Sequence, residues 1–346
     1  MIINKKIEEA PCCSHPFSVY LVDDNFNYLL DTLGSLDNKL FRYQMSQWPE
    51  KLWSTLNKQY GDEPFIHRNV QQVPISGSGY QHIDVLTSHI HLEVKRLARF
   101  EQVGILLLDV EMPALNGLKM CDRLTNPYMQ KIALTGKLSK DDAITALSEG
   151  RVHQVIHKED SNLEERLHKA LHRAYWKYYK ALTKGLYGSH SPYTEGSAPR
   201  DAGFFQLLQQ QMQQYNAVEH YVCDAKGTFL LVDKEGKTHL LFARTAQQLQ
   251  QDLQAPQAKS ADSSLLQQLR QNKKMLCYFH PENAELPPGS QWQQHIQPLQ
   301  IHQGDQPLFY ACVPNAMPVE GLTPFCTYEQ PADAMGKSMA SKSSPK

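Results

Sequence analysis

Three carboxylates, one hydroxyl and one amine carry the chemistry this sequence offers, and each stands at the end of a short apolar run. Asp109 closes the run at the start of Ile105–Gly117, which reads ILLLDVEMPALNG. Asp23 and Asp24 close a second run within Phe17–Asn25, Thr135 closes a third within Lys131–Gly136, and Lys158 closes a fourth, Val152–Lys158. Apolar runs without alternation read as strands buried on both faces of a parallel sheet. Set side by side, they bring all five groups to the sheet's carboxyl edge, where open α/β sheets bind ligands. Carboxylate oxygens at that density suit an octahedral Mg2+ that keeps several waters. Such a site is built to load a phosphoryl group onto one of its own aspartates. Met112-Pro113 and Asn116-Gly117 then turn the chain tightly toward a new helix.

Phe17 to about Leu182 resembles the receiver domain of bacterial response regulators, the CheY-like fold of five parallel strands and five helices. The resemblance rests on Asp23-Asp24, Asp109 with its DVEMP and NG turn, Thr135 and Lys158, in that order and each at a strand end. It implies that Asp109 is the phosphoacceptor, supplied by a sensor histidine kinase or phosphotransfer protein. It further implies Mg2+ held by Asp24 directly, Asp23 partly through water, Asp109, and the backbone carbonyl of Glu111. Thr135 and Lys158 would then sense the phosphate. Two positions depart from the family: Val155 stands where receivers usually carry a rotating aromatic, and Glu159 stands where they carry proline.

The elements that must position these groups can be read in outline. A chain of 346 residues suits two domains. The expected fold class is α/β, an N-terminal doubly wound parallel (βα)5 receiver with an insertion, followed by a C-terminal α+β domain with antiparallel strands. The boundaries are a receiver at 16–184 with its insertion at about 61–100, a linker at 185–203 rich in Gly, Ser and Pro, an output domain at 204–330, and a disordered tail at 331–346. A net charge of −1 gives no field that draws nucleic acid or anionic lipid. No apolar run is long enough to span a membrane, and no signal peptide is evident. Seven cysteines without paired metal spacing, two of them (Cys12-Cys13) on an arm read as mobile, are expected to be reduced thiols of a cytoplasmic protein.

Within the receiver, Asn27 is expected to cap the first helix, Phe41–Gln47 to form the second strand, and Pro49 to open a helix through Tyr60. Asp24 and Asp109 lie 109 − 24 = 85 positions apart, more than a receiver usually has. The extra length holds Pro64, Pro74, Gly77 and Gly79 and then a helix expected over His82–Phe100, with Ile83, Leu86, Ile90, Val94 and Leu97 on one face. His82, His89 and His91 invite a metal reading, but positions two apart do not share a helix face, so solvated or packed histidines are expected. Ser139 and Asp142 form a variant capping box for the fourth helix, which Gly150 ends. The fifth helix is apolar at Leu163, Leu167, Leu171, Ala174, Tyr178 and Leu182. Its length and aromatic load exceed what covering one sheet requires, so it is expected to make an intermolecular or interdomain contact. Phosphorylation is expected to promote a homodimer through the fourth helix, the fifth strand and the Ser161–Thr183 helix, with Leu171 and Tyr178 as contact candidates.

The C-terminal domain reads as an antiparallel meander of Glu219–Cys223, Thr228–Asp233 and Thr238–Ala243, followed by a helix capped by Thr245. From Asp201 to Lys346 there are eleven Lys/Arg against thirteen Asp/Glu, the wrong balance for phosphate attraction, so no specific DNA binding is expected. No GGDEF, EAL or HD-type motif is present. The layout resembles the quorum-sensing response regulators of Legionella, and the expected function is a two-component response regulator that switches oligomerisation and a non-DNA-binding, non-enzymatic output. The alternative is a receiver that gates a nucleotide-binding or enzymatic module, which leaves a small-molecule or nucleotide ligand open for the C-terminal domain.

Overall fold

The computed structural model describes residues 9–37, 39–53, 56–57, 64–74, 81–113, 115–281 and 285–327. Gly77 and Gly79 of the insertion and the 331–346 tail lie outside them.

The chain runs β1 (Cys13–Ser14), β2 (Phe17–Val22), α1 (Phe26–Gly34), β3 (Phe41–Ser46), α2 (Phe65–Arg68), β4 (Val70–Pro74), β5 (Gln81–Val85), β6 (Val103–Leu108), α3 (Gly117–Cys121), β7 (Gln130–Thr135), α4 (Lys140–Ser148), β8 (Gln154–His157) and α5 (Leu163–Tyr187). β2, β3, β6, β7 and β8 form a parallel five-stranded sheet in the order β3-β2-β6-β7-β8. Every residue of β2 and β6 is buried, as two-faced cover by helices requires. Asn25, not Asn27, caps α1 by accepting the Tyr28 N–H at 3.2 Å. Ser139 caps α4 as expected, and Gly150 ends that turn at a φ of 69°. Pro49 opens a 3-10 turn over Pro49–Lys51, after which Leu52, Trp53, Leu56 and Asn57 are helical.

The expected His82–Phe100 helix is not formed. β5 pairs antiparallel with β4, and two 3-10 segments, Thr87–Lys95 and Leu97–Phe100, follow. The apolar spacing of three and four is ambiguous between the two helix types. At three residues per turn, Ile90 stands over Glu93 and His91 over Val94, and all four are buried. Polar anchors fix that choice: Arg68 and Asn69 hydrogen-bond the Glu93 carboxylate at 2.7 and 3.1 Å, and the His91 ring meets Phe279 edge-on.

Beyond α5 come α6 (Phe204–Gln214), β9 (Ala217–Asp224), β10 (Thr228–Asp233), β11 (Thr238–Arg244), α7 (Ala246–Gln254), α8 (Ser263–Arg270), β12 (Lys274–Leu276), β13 (Ile296–Pro298), β14 (Gln300–Gln303) and β15 (Pro307–Pro314). The meander is antiparallel as expected, its turns closed by Asp224 and Asp233 accepting backbone N–H groups. Thr245 and Gln248 make a full capping box on α7. The six-stranded sheet, however, runs β1-β9-β10-β11-β15-β14. Its first strand belongs to the N-terminal arm, so Cys12 and Cys13 are buried rather than mobile. None of the seven cysteines is in a disulfide, and no helix among the described residues is long and apolar enough to cross a membrane.

One core joins both sheets, and α5 runs through it. Phe17 lies among Tyr175, Tyr178 and Tyr179 with ring centroids 5.3, 5.2 and 5.7 Å away, and Gly104 leaves room for it, since a Cβ there would meet the ring at 2.5 Å. On the other side Trp176 packs edge-on against Phe205. The aromatic excess of α5 therefore serves an interdomain contact. Leu171 and Tyr178 are consequently no dimerisation candidates: both are buried in the chain's own core, where no partner reaches them. The stretch read as a linker is also packed. α5 extends to Tyr187, and Tyr193, Ser197, Ala198 and Asp201 are buried.

A buried ion pair ties the insertion to the C-terminal sheet. Arg99, from the insertion, donates to the Glu219 carboxylate on β9 at 2.8 and 3.1 Å, with side chains 1% and 0% exposed. Tyr221 and the Thr323 carbonyl complete the network. Removing one partner strands the other charge. Arg99→Met should therefore lower stability by about 3–5 kcal/mol, measured by urea unfolding. Because the core is shared, tryptophan fluorescence and far-UV circular dichroism should report one coincident transition in the wild type; two separated transitions would contradict a shared core.

Candidate phosphoacceptor site

The carboxyl ends of β2, β6, β7 and β8 bring together what the sequence spreads over more than a hundred positions. Asp23 and Asp109 are buried, at 2% and 6% exposure, while Asp24 is exposed. Oxygens of the three carboxylates lie within 4.8 Å of one another. The Lys158 ammonium bridges two of them, donating to Asp23 Oδ2 at 2.6 Å and to Asp109 Oδ2 at 2.7 Å.

Asp23 and Asp109 are held in the same way. Each turns its Oδ1 back on its own loop, where Asp23 accepts the Asn25 N–H at 2.9 Å and Asp109 the Glu111 N–H at 3.2 Å. Each then leaves Oδ2 for Lys158. The Asp109 N–H donates to the Val22 carbonyl at 2.8 Å, which extends the β2–β6 ladder and fixes the two carboxylates side by side. Behind them, Asn116 caps α3 through the Leu118 and Lys119 N–H groups. Gly117 must be glycine, because a Cβ there would stand 2.1 Å from the Asp109 carbonyl oxygen. The NG pair thus lets α3 approach Asp109 closely.

Thr135 is fully buried, its Oγ1 accepting the Lys137 and Leu138 N–H groups at 3.3 and 3.2 Å, and its carbonyl accepts the Lys158 N–H at 2.9 Å. Its hydroxyl hydrogen is not used by those contacts. Sequence reading missed two residues. Tyr28 places its ring 4.6 Å from the Lys158 ammonium, a cation–π contact supplied by the first turn of α1. Gln47, at the end of β3, donates to the Asp24 carbonyl at 2.9 Å and steadies the acidic loop. Nothing in the sequence marked Tyr28, because its place three residues beyond the cap follows only once Asn25, not Asn27, caps α1.

Burial raises the Asp23 carboxyl above its ordinary range, and the Lys158 hydrogen bond only partly offsets this. Burial alone would lower the Lys158 ammonium, but its bonds to Asp109 and Asp23 outweigh that and raise it. Three carboxylates against one ammonium leave a formal charge of −2, which suits a hard divalent cation with oxygen ligands. Asp23, Asp24 and Asp109 are the residues able to hold it.

Residues 61–172 match the family model of the response regulator receiver domain, a stretch that contains Asp109, Thr135 and Lys158 but begins after Asp23 and Asp24. No curated protein matches the chain by sequence. Among solved structures, the Legionella pneumophila response regulator LqsR is 23% identical, with 94% of this chain and 98% of that chain covered and a TM-score of 0.76. A response regulator receiver domain protein from Clostridium thermocellum is 16% identical over 46% of this chain and 93% of its own, with a TM-score of 0.30. The signal receiver domain of a LuxO-type repressor protein from Vibrio parahaemolyticus is 12% identical over 51% and 99%, with a TM-score of 0.33. The parallel sheet with its acidic edge and the match over residues 61–172 agree that this chain carries a CheY-like receiver domain, and the chain as a whole shares the fold of the Legionella response regulator LqsR.

Proposed function

We propose that Asp109 accepts a phosphoryl group from a histidine kinase or phosphotransfer protein and that the state of this site is passed through α5 to the C-terminal sheet. The observation that carries the reading is Lys158 bridging Asp23 and Asp109 at the sheet edge, with Asp24 alongside. In the transfer, an Asp109 carboxylate oxygen forms the new bond to phosphorus while the bond to the donor's imidazole nitrogen breaks. A Mg2+ ion held by the three aspartates and the Glu111 carbonyl would neutralise charge on the phosphoryl oxygens. Lys158, already within hydrogen-bond reach of Asp109, then pairs with a phosphoryl oxygen as a point charge. Its release from Asp23 and Asp109, together with a Thr135 hydroxyl turning toward the phosphate, is the local change to be reported.

Val155 is too small to be a rotating reporter. α5 instead offers a direct route, since it packs on β6, β7 and β8 on one side and on β1 on the other. Pairing of two phosphorylated chains falls to the exposed face of α4, where Ile144 and Leu147 are 55% and 42% exposed, rather than to Leu171 and Tyr178. The output acts by binding a partner or small ligand and not by reading DNA, given its charge balance. The Legionella resemblance supports a role in quorum sensing.

Incubation with acetyl phosphate and Mg2+ should add one phosphoryl mass to the wild type and none to Asp109→Asn by intact-mass spectrometry. Equal incorporation in both overturns the assignment. A footprint on random-sequence DNA should show no selectivity that survives moderate salt. The raised Asp23 value gives a pH dependence of definite sign. A carboxyl raised on folding contributes stability that is present below its ordinary range and is lost as pH rises through the raised value, while Mg2+ needs the ionised form. Mg2+ should therefore raise the thermal midpoint more at neutral than at mildly acidic pH. The reverse order would contradict metal binding at Asp23.

A further inference from the structure

A cavity lies where the insertion meets the C-terminal sheet. It has a volume of about 260 Å³ and is walled by Ser88 and His89 of the insertion, by Asp224, Lys226 and Arg244 at the β9–β10–β11 turns, by Asp252 on α7, and by Tyr278 and Phe279. At ~30 Å³ per water, that space holds about eight or nine waters, the size of a small metabolite rather than a peptide.

Its polar groups are arranged in an uneven way. Arg244 is only 6% exposed; it donates to the Ala243 carbonyl and to Thr228 Oγ1, and its Nη2 stands 3.9 Å from Asp224 Oδ2. Asp224 spends its Oδ1 on the Lys226, Gly227 and Thr228 N–H groups. Asp252 is different. Among the described residues none donates a hydrogen bond to its carboxylate or forms an ion pair with it, although it lines the cavity and is partly buried. Burial raises its carboxyl, only partly offset by the more distant charges of Arg244 and Lys226. A partly buried carboxylate without a donor, in a cavity that two aromatic rings also line, suits an organic ammonium, which both groups attract. Arg244 and Lys226 supply cationic groups to the same cavity, which suits a carboxylate. His91, by packing edge-on against Phe279, holds the aromatic wall from the insertion side.

We propose that this cavity binds a small zwitterion of amino-acid type, its ammonium on Asp252 and its carboxylate toward Arg244 and Lys226. The proposal deepens the reading of the output as a binding module. It also gives the insertion a role, because Ser88 and His89 close the site from the receiver side. An occupant therefore touches both halves of the chain.

The test uses the full chain, titrated by calorimetry with a panel of the twenty common amino acids, their decarboxylated amines, their deaminated acids, and inorganic phosphate. At least one amino acid should bind saturably and at least about tenfold more tightly than its amine or its acid, since each end adds a charge-assisted hydrogen bond. Asp252→Asn should weaken that binding by about tenfold or more with an unchanged circular dichroism spectrum. Lys226→Met, an exposed position that leaves the fold intact, should weaken it less. Asp109→Asn should still bind, so failure of the phosphorylation reading and failure of this one are told apart. Absence of binding across the panel overturns the proposal, as does an Asp252→Asn protein that binds equally well, or a site that prefers phosphate or the amine alone.

Discussion

The burial of α5 between two sheets is the constraint on which the rest of this molecule depends. A helix that covers a single sheet needs one apolar stripe, but this one buries ten of its residues, three of them tyrosines. Its inner face completes the receiver core around Phe17, and the continuation of that face completes the core beneath β9 and β10. Neither half can therefore keep its native packing without the other. The Arg99–Glu219 pair fits the same picture. Such a pair contributes little net stability compared with apolar groups of similar shape, but it penalises any arrangement of the two sheets that separates the charges.

The acidic edge shows how such a frame concentrates charge. β2 and β6 set two carboxylates side by side, β8 delivers one ammonium between them, and a formal charge of −2 remains. The loop N–H groups and Lys158 occupy both oxygens of Asp23 and of Asp109, so neither side chain can rotate away. Tyr28 and Gln47 add restraint from outside the sheet. The site is a place where charge has been concentrated and immobilised before any substrate arrives, which is what electrostatic preorganisation requires.

Much of this was legible in the sequence, for identifiable reasons. Asp109, Thr135 and Lys158 stand out because a two-faced buried strand is a dense apolar run, and a polar group at its end is conspicuous. The β9–β10–β11 meander is legible from its Asp- and Gly-bearing turns, and the α7 cap from Thr245. Less legible was anything decided by distant partners. β1 is two residues long and carries no pattern of its own. The 3-10 geometry of Thr87–Lys95 depends on Arg68, Asn69 and Phe279. The stripe of α5 shows that Leu171 and Tyr178 are buried but not by what, so a surface for a second chain and a seam within one chain look alike.

The placement of β1 has a consequence for how the polypeptide can be made. Ser14 Oγ lies 2.7 Å from His220 Nδ1, and the Cys12 carbonyl accepts the Val222 N–H, so contacts opened by the residues of β1 are closed only some two hundred residues later. Until β9 has emerged, the arm has no strand to pair with and the outer face of α5 has no cover. The receiver sheet can assemble in the meantime, since all its strands precede residue 158. A later step is then a long-range closure in which β1 meets β9 beside α5, an arrangement that favours slow folding and exposes apolar surface during synthesis. Termination of translation before β9 would leave a receiver whose longest helix has lost the cover that Phe205 and His220 give Trp176.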